Sequence, residues 1–158
     1  MARQQETTNR GPHDHGNIKN HQPETNCIGK IFGRDQRGHE RLARGTQAGL
    51  KALGFQLYAQ EGYRSNTVTS AVPPSGLDVA ALRKLLNEKY GVVIGGGQGK
   101  MTGKMIRVGH LGAIAAGDVV QVLWAIEQAL EELDIAPADG RGVAAMTASL
   151  QGVAAATR

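Results

Sequence analysis

Cysteine is almost absent. Cys27 stands alone, so no disulfide can close within the chain, and nothing asks for an oxidising compartment. Aromatic residues are scarce, at 4%. The core must therefore rest on Leu, Val, Ile and Ala. The net charge of +4 comes from scattered residues, without the stripes of cations and rings that a nucleic-acid platform shows. No apolar run approaches the ~20 residues of a membrane span. The opening MARQQETTNRGPHDHG lacks the apolar segment of a secretory signal. No internal repeat is visible. These absences predict a cytoplasmic protein that needs neither nucleic acid nor membrane.

What is present divides near Gly38. Residues 1–37 are rich in Asn, Gln, His, Gly and charge, with one apolar cluster at Cys27, Ile28, Ile31 and Phe32. Such a composition buries too little to offset its ordering entropy, so it predicts a disordered or loosely docked segment. His13, His15 and His21 with Cys27 match no common zinc spacing, and no metal is expected.

Residues 38–158 read as one domain. Leu42, Thr46, Gly49, Leu50 and Leu53 recur at helical spacing, and Gly54 follows as a stop signal. FQLY at 55–58 is a short strand candidate. TVTSAV at 67–72 is a β-branched strand ended by Pro73 and Pro74. Ser75 and Asp78 suggest a capping box for a helix carrying Ala81, Leu82, Leu85 and Leu86 on one face. GVVI at 91–94 and MIRVG at 105–109 read as strands joined by a long glycine-rich turn. From Asp118 a helix places Val119, Val122, Leu123, Ile126, Leu130 and Leu133 on one side. A last Ala-rich segment from Gly142 is helical too. The fold class is α+β: a small, mostly antiparallel sheet with helices packed on one face.

The run GGGQGKMTGKMIRVGHLG, residues 95–112, holds seven glycines, three cations and a histidine. It does not fit a phosphate loop. In the P-loop spacing Ile94 falls where glycine is needed and Met101 where a hydroxyl is needed. In the dinucleotide spacing the third glycine falls on Lys100 or Thr102. The glycines also lead into a strand rather than a helix. Their simplest role is positive φ in a long turn. Arg107 lies between Ile106 and Val108, so alternation puts it on the opposite face from both. Its fork of donors matches a carboxylate. The pattern leaves open a solvated arginine or one paired with Glu or Asp.

The segments ERLARGTQAGLKALGF, NTVTSAVPPSGLD, YGVVIGGGQGKMTGKMIRVGHLG and GDVVQVLWAIEQALEEL resemble the C-terminal small domain of class V pyridoxal-phosphate (PLP) aminotransferases, of the alanine–glyoxylate and serine–glyoxylate type. The glycine block is the most specific of these, and residues 1–37 show no match. The resemblance implies that Arg107 binds the carboxylate of an amino or 2-oxo acid substrate. It implies that Gly96, Gly97, Gly99 and His110 shape the pocket mouth, with a structural hydrogen bond as the other role of His110. Lys100 and Lys104 match turn positions and are expected to be solvated. In this family PLP is held as an imine by a lysine of a large N-terminal domain. Lys51, Lys84, Lys89, Lys100 and Lys104 all lie in small-domain positions. The resemblance therefore implies no catalytic residue here, no PLP bound by this chain alone, and a partner in a missing large domain or a homodimer. The alternative is a stand-alone module that binds a small carboxylate without chemistry.

Overall fold

A computed structural model describes the backbone from Thr25 to Ala155 and the side chains of residues 37–151. The elements are α1 (Thr25–Ala52), β1 (Gln56–Leu57), β2 (Val68–Val72), α2 (Val79–Tyr90), β3 (Gly95–Gly96), β4 (Ile106–Gly109), α3 (Ala116–Glu132) and α4 (Arg141–Ala155), with a 3₁₀ turn at Gly99–Met101. The strands form one antiparallel sheet in the order β1-β2-β4-β3. This is the expected α+β architecture.

Alternation along the strands decides which face is covered. Thr69, Ala71, Ile106 and Val108 are buried, and the register pairs Thr69 with Val108 and Ala71 with Ile106. Their neighbours Val68, Ser70, Val72 and Arg107 are only half-buried. The core lies between the buried set and the helices, where Leu50, Leu82, Leu86, Ile106, Leu123, Ile126 and Leu130 are at most 1% exposed. Each such side chain contributes about 1.5–3 kcal/mol.

Small residues set the distances between helices. A Cβ on Gly49 of α1 would lie 2.4 Å from a methyl of Leu123 in α3 and 3.0 Å from the Gly142 carbonyl in α4. A Cβ on Gly142 would lie 2.9 Å from Leu53. The three helices meet there at close to backbone contact.

Several boundaries differ from the sequence reading. α1 begins at Thr25, so its backbone runs through the composition break at Gly38. Cys27, Ile28, Ile31 and Phe32 are spaced three and four apart, which is a helical period that composition alone conceals. Residues 1–24, including His13, His15 and His21, lie outside the described residues. Helix α2 starts after Asp78, whose carboxylate accepts from the Ala80 amide at 2.9 Å. Ser75 takes no part in that cap, because Gly76 has a φ of +88°, outside the helical region, and no helix can start at it. GVVI is not a strand. Gly91 caps α2 in the left-handed region, and the Val92 amide is taken by the Leu86 carbonyl at 2.9 Å. Pairing starts only at Gly95. Among the described residues no helix is long and apolar enough to cross a membrane, and no cluster of His, Cys, Asp and Glu could hold a metal.

Candidate functional site

The site is built on the hairpin β3–β4. Gly95 pairs with Arg107 and Gly96 with Ile106. Arg107 emerges on the open face of the sheet, where Gly95 has no side chain to obstruct it. A Cβ there would lie 3.3 Å from the Arg107 Cβ and 3.4 Å from its Nε. The Arg107 Nε–H donates to the Gly96 carbonyl at 2.8 Å. This bond fixes the plane of the guanidinium, and neither terminal amino group has a hydrogen-bond partner among the described residues. Among the described residues no Asp or Glu forms an ion pair with it. The arrangement is a half-buried fork of donors on a rigid strand, suited to two parallel bonds with a carboxylate.

Gly97 closes the glycine strand. Its amide donates to the Met105 carbonyl at 3.0 Å, and a Cβ there would sit 1.8 Å from the Met101 carbonyl oxygen. Only glycine fits. Beyond it the loop bonds to itself: the Met101 amide to Gln98, Thr102 to Gly99 and Lys104 to Met101. Those amides are spent within the turn and do not converge on an anion. Gly99 has a φ of +54° in open space, so its need is conformational. Lys100 and Lys104 are exposed on the same loop.

His110 sits in the core and not at a rim, with an exposure of 0%. Its Nδ1 lies 3.0 Å from the Asn66 carbonyl, an obligate acceptor. Nδ1 therefore carries the proton, and Nε2 accepts from the Thr69 hydroxyl at 2.9 Å. Burial holds its pKa below the ordinary histidine value, against the raising effect of the Asn66 carbonyl. A neutral ring thus staples the segment before β2 to the end of β4. This is the structural hydrogen-bonding role weighed from the sequence.

A cleft of about 140 Å³ lies on the same sheet, lined by Leu57, Tyr58, Tyr63, Val68 and Ser70 among others. Ser70 is the cross-strand partner of Arg107, but Arg107 itself does not line this cleft. A larger cavity of about 560 Å³ lies elsewhere, between α1 and the segment around Glu61 and Arg64. Arg107 is not part of it.

Sequence reasoning missed one side chain at the hairpin. Arg83 of α2 donates from Nε to the Ile94 carbonyl at 3.0 Å. Its only sequence signal is a long cation on an otherwise ordinary helix. The sequence likewise gave no sign that Tyr90 and Lys89 share Glu132. That hydrogen bond from Tyr90 to the Glu132 carboxylate pushes the Tyr90 pKa up to about 12.

No protein-family model matches the sequence. An uncharacterized aminotransferase of Methanocaldococcus jannaschii is 46% identical over 95 residues, covering 60% of this chain and 25% of the relative. The serine–glyoxylate aminotransferase of Hyphomicrobium methylovorum is 36% identical over 110 residues, covering 68% of this chain and 27% of the relative. A protein of Synechococcus sp. named as the small subunit of a soluble hydrogenase is 36% identical over 108 residues, 68% of this chain and 28% of its own length. Among solved structures, the pyridoxamine–pyruvate aminotransferase of Mesorhizobium loti superposes with a TM-score of 0.74 at 28% identity, over 80% of this chain and 33% of that one. The chain thus spans about a quarter to a third of the length of the relatives it matches. Both its sequence and its fold are homologous to one portion of the class V aminotransferases, in a way that fits their C-terminal part.

Proposed function

We propose that the chain is the substrate-gripping C-terminal part of a PLP-dependent aminotransferase. The parent reaction would move an amino group between a small amino acid, such as alanine or serine, and a 2-oxo acid, such as glyoxylate or pyruvate. The observation that carries this reading is the Arg107 fork, oriented by the Gly96 carbonyl and laid over Gly95. Both substrate classes present a carboxylate to such a fork. The Lys counterpart would keep the charge and lose the second parallel bond.

The described residues do not fit a PLP site of their own. Lys51, Lys84, Lys89, Lys100 and Lys104 are all exposed, and Lys89 is paired with Glu132. The Gly97, Met101, Thr102 and Lys104 amides of the loop donate to the loop's own carbonyls and are not free to meet a phosphate. On this reading the imine-forming lysine is supplied by a large domain beside which the chain works, and the described part alone is inactive. A second reading, a free-standing module for small carboxylates, is favoured by the fact that the chain's own backbone orients Arg107.

The test is a calorimetric titration with glyoxylate, pyruvate, serine and alanine. Saturable heat is expected with at least one of them, and Arg107→Lys should weaken it about tenfold. No heat from any of the four refutes the free-standing module. Mixing the chain with PLP and borohydride should trap no lysine. A stoichiometric adduct on one lysine overturns the claim that the imine-forming residue lies outside this chain.

A further inference from the structure

Strand β3 is gripped from both sides by arginines. On the open face, Arg107 lies over Gly95 and donates to the Gly96 carbonyl. On the helix face lies Arg83, reaching up from α2. Its Nε–H donates to the Ile94 carbonyl at 3.0 Å. Its guanidinium fills the space that a side chain on Gly96 would need, since a Cβ there would lie 3.1 Å from Nη1 and 3.5 Å from Cζ. A side chain on residue 95 or 96 would crowd the arginine beside it and force it to shift by a few tenths of an ångström or more.

The strand has little else to hold it. It is two residues long, lies at the sheet edge and pairs with β4 alone. Both residues are glycine, the type with the most backbone freedom to lose. An edge strand of two glycines with one ladder is the part of a sheet expected to move most readily. Arg83 adds an anchor outside the ladder, on the Ile94 carbonyl, two residues before the carbonyl that orients Arg107.

We propose that Arg83 is a positioning residue for Arg107. By holding the Ile94 carbonyl and covering Gly96, it steadies the glycine strand, and the Gly96 carbonyl then fixes the Arg107 fork. Its effect on ligand rests on the carboxylate reading above; its effect on the Arg107 side chain does not.

The experiment is arginine side-chain NMR on the whole chain, comparing wild type, Arg83→Ala and Arg83→Lys. Residue 83 is exposed on a helix, where alanine is well tolerated. In Arg83→Ala the Arg107 Nε–H should exchange with water about tenfold faster. The His110 amide, bonded to the Thr67 carbonyl, is the reference and should not change. Arg83→Lys should restore part of the protection, because an ammonium can still donate to Ile94 but cannot cover Gly96 with a plane. Unchanged exchange at Arg107 overturns the proposal. An equal rise at His110 also overturns it, because the whole sheet would then have loosened. A parallel titration with sodium glyoxylate follows the Arg107 resonances. A saturable shift is expected in the wild type, with a Kd about three- to tenfold weaker in Arg83→Ala. No saturable shift in the wild type sinks the carboxylate reading and leaves the exchange result to decide the positioning. Equal Kd values in both proteins sink the positioning role toward ligand.

Discussion

Gly97→Ala should be among the most damaging single-methyl additions in this chain. The added carbon would lie 1.8 Å from the Met101 carbonyl oxygen, 2.5 Å from its carbon and 2.9 Å from the Met105 Cγ. The methionine side chain could swing away, but a backbone carbonyl cannot move alone. Met101 is fixed by its amide bond to Gln98 and by its carbonyl, which accepts from the Lys104 amide. To admit the methyl, the turn must open. That breaks the Lys104 bond, the bond from Gly97 to Met105, or both. Overpacking costs about 1–3 kcal/mol, and each lost bond adds about 0.5–1.5 kcal/mol. The sum is about 1.5–6 kcal/mol, a large share of the ~5–15 kcal/mol of a typical domain. In urea, with a slope of about 2 kcal/mol/M, the midpoint should fall by roughly 1–3 M. Gly99→Ala is the control, because the space around Gly99 is open and only its φ of +54° is at stake. It should cost only about 1–2 kcal/mol. The steric reasoning is refuted if Gly97→Ala unfolds at the wild-type urea midpoint, or at a higher one than Gly99→Ala.

Two more outcomes are expected. The folded-state pKa of His110 lies below its unfolded value, so the unfolded chain binds its proton first as pH falls. Stability from this residue is therefore complete above about 6.5 and declines below that pH until the folded-state pKa is reached, by at most about 1.4 kcal/mol per pH unit; urea unfolding at pH 7.5 and 5.5 should show the loss, and His110→Gln should lessen it. Asp134, at a φ of +55°, is the one described non-glycine residue in the left-handed region; Asp134→Gly should raise the urea midpoint by the equivalent of about 0.5–1 kcal/mol, and a lower midpoint would contradict the strain argument.

Much of this fold was legible because its elements obey simple periods. Val119, Leu123, Ile126 and Leu130 bury the face that their spacing predicts, and Val68 to Val72 alternate as a half-covered strand should. The failures share one cause, competition for backbone groups. Val92 and Ile94 have the apolar character of a strand, but the Val92 amide caps a helix and the Ile94 carbonyl is held by Arg83. No residue pattern records which carbonyl a distant side chain will take. The same holds for His110, whose partners Asn66 and Thr69 lie more than forty positions away. Arg107 was legible as a side chain facing away from the core. The bond to Gly96 that aims it was not, because an arginine–carbonyl contact leaves no spacing to read.

The glycines where α1 meets α3 and α4 bear on the order in which the chain can fold. Gly45 and Gly49 lower the intrinsic helicity of α1. What they allow in return is contact with Met146, Leu123 and the Gly142 backbone, all contributed by the last two helices. During synthesis α1 leaves the ribosome long before those residues exist. Its C-terminal half must wait, loosely formed, until nearly a hundred more residues have emerged. The earliest of the described helices is thus among the last to be locked, because the seam it shares with α4 can close only after the intervening sheet has been synthesised.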